Sequence, residues 1–238
     1  MKNELSPEIM YELFAEIGFR RHFHLGGMDA TKELVELCHM NRNSYVLDVG
    51  CASGKTACHI AKIYGCNVVG VDLLEKMIYR ANERAKREAV EDRVRFQVAD
   101  AQNLPFEDNT FDVLIGEFIT GLLEDKRKGV REYLRVIKPG GIVGLNEATW
   151  IKTPPPAQLV EYLSRIFGFK GEILTSEDWV ELLEEAGLNE MIVRARRAKV
   201  LSNKWESLGD LLRAWNKVLF MYVRSPIFRR LIKETVSI

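Results

Sequence analysis

Between Tyr45 and Leu145 the chain alternates short, almost wholly apolar runs with longer stretches whose apolar residues recur every three or four positions. The runs are Tyr45 to Val49, Asn67 to Asp72, Arg93 to Ala99, Phe111 to Ile115 and Gly141 to Leu145. Each is rich in valine, isoleucine or leucine, and each is too short for a helix, so each predicts a buried strand. Between them, Ala57 to Tyr64 and about Leu74 to Ala89 carry helical periodicity, and a further helix precedes the turn Lys138-Pro139-Gly140-Gly141. Strands without polar alternation need cover on both faces, and parallel strands need helical crossovers. With right-handed crossovers the pattern predicts a doubly wound α/β fold with a mainly parallel sheet.

The flanks are helical. Ser6-Pro7-Glu8 is a helix start, and Ile9, Leu13, Phe14 and Ile17 form the stripe behind it. Arg20 to Gly27 reads as a loop, with Asp29 capping a second helix that carries Leu34, Val35, Leu37 and Cys38. After Trp150 come Pro154-Pro155-Pro156, a helix, and a second helix opened by Thr175-Ser176-Glu177-Asp178 and ending at Gly187. Met191 to Val200 predicts a sixth strand, and Trp205 to Lys233 predicts two helices broken at Ser225-Pro226. The expected organisation is an N-terminal helical cover over 1–43, a core over 44–200 and C-terminal helical additions over 201–238, all one globular unit.

Composition narrows the class. With 238 residues, 47% hydrophobic and 29% charged, the chain has material for one sizeable core and is neither disordered nor fibrous. It has no run of about 18 apolar residues of the kind that spans a membrane. The N-terminal residues lack a basic-then-apolar signal organisation, so a cytoplasmic location is expected. The four cysteines form no Cys-x-x-Cys pair, which argues against a disulfide scaffold or a structural zinc site; no metal is expected. The net charge of zero conceals an asymmetry. Residues 191–238 hold eleven Lys/Arg and three Asp/Glu, a net of +8, against −8 over the first 190. Either acidic and basic surfaces pack together, or the basic stretch meets an anionic partner.

The segment Val46-Leu47-Asp48-Val49-Gly50-Cys51-Ala52-Ser53-Gly54-Lys55-Thr56 lies between the first strand and its helix, where open α/β sheets bind ligands. Three chemistries place glycines there. A phosphate-binding P-loop needs four residues between its first glycine and Gly-Lys-Ser/Thr, and Gly50 to Gly54 encloses only three. A dinucleotide fingerprint, G-x-G-x-x-G, is broken by Ala52 and Lys55. The G-x-G-x-G loop of S-adenosylmethionine (SAM) sites is met except at Ala52, where a negative φ is expected and a positive one would weigh against the match. Acids support this third frame. Asp72 ends the second strand, 22 residues after Gly50, where a carboxylate can accept both hydroxyls of an adenosine ribose. Asp100 follows the third strand, where it can accept from an adenine amino group. Either could instead cap its own turn.

The stretches VLDVGCASGKTA, VVGVDLLEKMI, VADAQNLPFEDNTFDVLIGEF and VIKPGGIVGLNEATW resemble the successive motifs of class I SAM-dependent methyltransferases. The likeness is to the small-molecule branch, similar to ubiquinone/menaquinone-biosynthesis and sterol-type enzymes. It covers about residues 44 to 150, weakens to about 198 and is silent beyond. It implies the Rossmann-like methyltransferase fold, SAM as cofactor and S-adenosylhomocysteine as product. It further implies Asp48, Gly50, Cys51, Ala52 and Gly54 at the methionine end of SAM, Asp72 at the ribose, Leu73 beside the adenine, and Asp100 with Ala101 at the adenine edge. Glu117 and Phe118 would line the passage from cofactor to acceptor. The family usually adds a sixth and an antiparallel seventh strand; the seventh has no match here.

Methyl transfer from a sulfonium is an in-line displacement, so positioning and exclusion of water are the protein's main tasks. A base is needed only where the acceptor must lose a proton. Glu117, Glu147 and His24 are the candidates, with Tyr11 and His22 also near the expected cleft. Tyr11, Gly27, Phe118 and Glu147 are candidate acceptor-side residues, and the loop His24-Leu25-Gly26-Gly27-Met28 is expected to close over the methionine moiety. The C-terminal helices, with Trp205, Trp215, Phe220, Tyr222 and Phe228 among basic residues, are read first as the wall of an apolar acceptor pocket. Contact with an anionic membrane surface or a second subunit are the other readings. A nucleic-acid partner is not expected. The rival functions are a P-loop-like nucleotide hydrolase and a non-catalytic SAM-binding protein.

Overall fold

The structure, a computed structural model, describes residues 26–150, 173–188 and 190–195, together with positions 154, 155, 157 and 160. Tyr11, His22, His24, the C-terminal helices and part of the expected sixth strand lie outside the described residues. In chain order the elements are α1 (Gly27–Leu37), β1 (Tyr45–Val49), α2 (Lys55–Tyr64), β2 (Asn67–Asp72), α3 (Glu75–Glu88), β3 (Val94–Val98) and β4 (Phe111–Glu117). A short 3-10 turn (Thr120–Leu122), α4 (Lys126–Val136), β5 (Ile137–Asn146) and α5 (Ser176–Glu185) follow.

The strands form one sheet in the order β3-β2-β1-β4-β5, and all pairs are parallel. This is the doubly wound arrangement that the apolar runs predict. Because side chains alternate across a strand, β1 feeds two cores at once. Val46 packs with Val35, Ala57, Ile60 and Val68 under α1 and α2. Leu47 and Val49 pack with Val71, Leu114, Tyr133 and Val136 under α4, where Trp179 and Leu182 of α5 join them. Four of the five β1 residues are buried, which explains why the strand shows no polar alternation.

Several expectations change. Asp29 does not cap α1; the helix begins at Gly27 behind a left-handed Gly26, and Asp29 sits in its first turn. The loop therefore ends sooner than the sequence implied. The turn Lys138 to Gly141 falls inside β5 as an irregularity: Ile137 pairs with Phe111, but Ile142 pairs with Val113. Residues 191–195 are not a strand, so the sheet among the described residues has five strands rather than six. Ile192 and Ala195, two of the apolar positions that suggested a strand, are exposed, which fits the difference. Arg194, first of the basic residues beyond 191, reaches back to α1 and donates to Glu33 at 2.9 Å. That contact joins the basic stretch to the acidic part of the chain.

Candidate functional site: the carboxyl ends of the central strands

The sheet order reverses at β1, with β2 on one side and β4 on the other, and ligands of such sheets bind beyond the strand ends at this point. Register brings the predicted residues to one level. Val49 pairs with both Val71 and Gly116, so Gly50, Asp72 and Glu117 follow side by side, and Glu117 in turn pairs with Asn146.

The glycine loop is held by the backbone. Cys51 N–H donates to Val71 O at 2.9 Å, and Gly54 N–H donates to Cys51 O at 2.8 Å. Gly50 and Gly54 have φ of 68° and 70°. Ala52 also adopts a left-handed φ, 45°, which overturns the expected negative value. An alanine there costs roughly 1–2 kcal/mol, yet its N–H is fixed on Asp72 Oδ2 at 2.9 Å. The positive φ counts against the match at Ala52 itself, yet the loop keeps the left-handed shape a middle glycine would give it, and the departure is one of residue type.

Asp72 accepts through both oxygens, Oδ2 from Ala52 and Oδ1 from Leu74 N–H at 2.9 Å. Each oxygen keeps a lone pair for a further donor. Burial raises its pKa, and the two amides oppose that rise. Asp48 is buried and accepts from Ala57 N–H at 3.1 Å, so its carboxylate faces the first turn of α2, where Gly54 supplies no side-chain cap. Its pKa is pushed up first by burial, then by the neighbouring Glu117, with Asp72 adding to the rise. Both groups take backbone amides, and a cationic ligand would relieve the burial that they share.

Glu117 is held by several donors. Thr56 donates at 2.8 Å, Thr31 lies within 3.0 and 3.2 Å of its two oxygens, and Asn146 donates at 3.3 Å. The carboxylate therefore ties α1, α2 and β5 to the end of β4. Thr56 belongs to the Gly-Lys-Thr that suggested a P-loop, where its hydroxyl would serve a metal-bound phosphate. Here it serves a carboxylate, which would repel a phosphate.

The adenine side divides. Leu73 is 64% exposed at the end of β2, an apolar surface suited to a flat apolar ligand. Asp100 is exposed and uses Oδ1 on the N–H of Gln102 at 2.8 Å, so it also closes its own turn. Ala101 is buried in the core, so only its backbone can face the crevice. Cys51 is likewise buried, and burial pushes its thiol pKa well up. Phe118 stands next to Glu117 with φ 59°, a left-handed conformation that is rare for an aromatic residue. Gly27 is the first residue of α1.

Glu147, a candidate base and acceptor-side residue, follows β5 and meets the turn after β4. It is half-buried, and Oε1 accepts from Thr120 N–H at 2.7 Å and Ile119 N–H at 3.2 Å, while Oε2 accepts from Gly121 N–H at 3.3 Å. Burial pushes its pKa up to about 7 against the pull of these amides. Sequence reasoning missed Thr31, Thr56, Asn146 and Ile119. Thr56 and Asn146 were legible as neighbours of motif residues, whereas Thr31 lies 86 positions from Glu117 and carries no local signal. Among the described residues no group of three or more His, Cys, Asp or Glu could hold a metal ion.

The arrangement fits SAM. It offers a strained glycine-type loop, a ribose-level carboxylate with spare lone pairs, an exposed apolar residue beside it, and buried or half-buried carboxylates suited to a sulfonium and an ammonium.

Comparison with known proteins agrees. A family model described as a methyltransferase domain matches residues 46–141. A phosphoethanolamine N-methyltransferase of Triticum aestivum is 30% identical over 87% of this chain and 42% of its own. A 27-O-demethylrifamycin SV methyltransferase of Amycolatopsis mediterranei is 32% identical over 66% of this chain and 58% of its own. The chain thus spans less than two thirds of either relative. A crystal structure of a putative sarcosine dimethylglycine methyltransferase from Galdieria sulphuraria shares the fold, with a TM-score of 0.72 over 94% of this chain and 89% of that one at 15% identity. The methyltransferase match begins in β1 and runs into β5, across the strands that carry the loop, Asp72 and Glu117, and residues 46–141 form a SAM-dependent methyltransferase domain.

Proposed function

We propose that this chain transfers a methyl group from SAM to a small-molecule acceptor, apolar or aromatic in part. The observation that carries the cofactor half is the junction of the left-handed Gly50–Gly54 loop with Asp72, whose two oxygens keep free lone pairs beside the exposed Leu73. Asp72 would hold the ribose, Leu73 would cover the adenine, and the Gly50–Gly54 loop with Asp48 would hold the methionine end. When bound, SAM supplies an activated methyl on a sulfonium; the chain's own residues orient it and keep water out. The acceptor half rests on relatives whose names give small molecules, phosphoethanolamine and a demethylrifamycin. Glu117, engaged by three side chains, serves better as an anionic anchor than as a mobile base.

A P-loop hydrolase is disfavoured by three carboxylates, Asp48, Asp72 and Glu117, at the level where a triphosphate would lie. Calorimetry tests this directly: SAM should bind and ATP should not, and the reverse would refute the reading. A non-catalytic SAM-binding protein is separated by turnover of methyl-labelled SAM with small amines, phenols and lipid extracts. The apolar and aromatic residues beyond 200, interleaved with basic ones, are proposed to wall the acceptor pocket, in a cytoplasmic protein. Cosedimentation with anionic vesicles, or a dimer in analytical ultracentrifugation, would transfer that role to a membrane or a second subunit.

A further inference from the structure

The chain leaves β4 through a kink that the methyl-transfer reading does not explain. Phe118 is left-handed at φ 59°, its N–H fixed on Asn146 O at 2.8 Å. Backbone strain of this kind persists only where the surroundings over-determine it. Immediately after it, the three amides of Ile119, Thr120 and Gly121 converge on one carboxylate, that of Glu147. The turn so held places Ile119 in a notch between two glycines. A methyl group on Gly50 would lie 2.7 Å from Ile119 Cγ1, and one on Gly116 would lie 3.3 Å from Cγ2. Gly50 opens the cofactor loop, so the Ile119 side chain is a wedge against that loop's first residue. The hydroxyls of Thr120 and Tyr133 are buried in the same region without a hydrogen bond of good geometry, and Trp179 closes it from α5. Three backbone amides engage both oxygens of this half-buried carboxylate, so its hydrogen bonds serve the turn.

We propose that Glu147 is a positioning residue for the cofactor loop. Its carboxylate grips the Ile119–Gly121 turn, and the turn presses Ile119 onto Gly50, fixing the loop for SAM. The proposal rests on the SAM-binding reading above and gives Glu147 a holding role in place of that of a base.

The experiment measures SAM affinity by calorimetry for the full chain and for Glu147→Ala, Glu147→Gln, Ile119→Ala and the double variant Glu147→Ala/Ile119→Ala. It is run at a temperature where circular dichroism shows each variant folded. Losing a charged acceptor of three amides is expected to weaken SAM about tenfold in Glu147→Ala. Glu147→Gln keeps one acceptor oxygen and should recover part of that loss, to about threefold. Ile119→Ala should weaken SAM similarly, and the double variant should be no weaker than the worse single one, because both changes release one contact. Amide exchange at Ile119, Thr120 and Gly121 should accelerate in Glu147→Ala, which tests the grip without cofactor. Unchanged SAM affinity in folded Glu147→Ala, additive effects in the double variant, or unchanged amide exchange would each overturn the proposal. Absence of SAM binding by the unaltered chain, with the exchange difference present, would instead overturn the cofactor reading and leave the grip standing.

Discussion

Changing Ala52 to glycine should make this protein more stable, although the change lies in the middle of its cofactor loop. Ala52 holds φ at 45°, and an L-residue with a Cβ pays roughly 1–2 kcal/mol for that conformation. Glycine pays nothing there but gains freedom in the unfolded chain, which returns about 0.4–1 kcal/mol. The methyl is only partly buried, so its removal costs a few tenths more, given about 0.8 kcal/mol for a fully buried CH₂. The balance is a gain of about 0.5 kcal/mol, or an increase of roughly 1–2 °C in melting temperature for a chain of this length. The amide that donates to Asp72 Oδ2 at 2.9 Å is untouched, so SAM affinity should be retained. Gly54→Ala is the reciprocal change. It adds a Cβ at φ 70°, 2.7 Å from Phe96 Cζ and 2.8 Å from Ala81 Cβ, so strain and overpacking act together. It should lose about 2–4 kcal/mol. Differential scanning calorimetry on the two variants without ligand gives opposite shifts if the loop geometry is right. A lower midpoint for Ala52→Gly would refute the argument, because it would mean Ala52 carries no left-handed strain to release.

Three other outcomes follow from the same structure. Asp72→Asn replaces one acceptor oxygen with a donor facing a backbone N–H, and should cost about 1–3 kcal/mol of stability and at least tenfold in SAM affinity, read by urea titration and calorimetry. Arg135 donates to the carbonyls of Leu104 and Phe106 and to Glu132 and Asp108, closing the loop before β4; Arg135→Lys cannot fork in this way and should cost about 2 kcal/mol in a thermal melt, with SAM binding unchanged. The third concerns pH. Glu147, at about 7, binds its proton more tightly folded than unfolded, so its contribution is a loss of stability as pH rises from about 4.5 to 7, worth up to about 3 kcal/mol. Burial of Asp48 and Asp72 acts in the same direction. Urea midpoints from pH 5 to 8 should therefore fall for the unaltered chain and fall less for Glu147→Gln; equal slopes would refute the assignment.

The central sheet is legible in the sequence because strands buried on both faces must be written as continuous apolar runs, as Val68 to Val71 is. Asp48 and Asp72 are legible because they adjoin such runs and a glycine loop. The backbone angle at Ala52 is not legible, since φ there is imposed by the anchors at Val71 and Asp72 rather than by the residue's own preference. The partners of Glu147 are illegible for a similar reason: one carboxylate after a strand looks the same in sequence whether it meets water or three amides of a turn 26 to 28 residues earlier. The pairing of Thr31 with Glu117 depends on the docking of α1, which local periodicity does not encode. The first half of the expected sixth strand, residues 191–195, is not strand, because apolar residues among arginines describe an exposed segment as well as an edge strand.

All four cysteines are buried as free thiols, and burial raises the pKa of each, to about 12 for Cys38 and Cys58. Thiolate, the reactive form, is therefore scarce at neutral pH in the folded chain. Cys38, Cys58 and Cys66 lie beneath the helices on one face of the sheet, whereas Cys51 lies in the cofactor loop. A thiol reagent thus turns the molecule into its own clock. Slow labelling of three sites marks the opening of the core, and faster labelling of Cys51 would time the loop alone, in the absence of any acceptor.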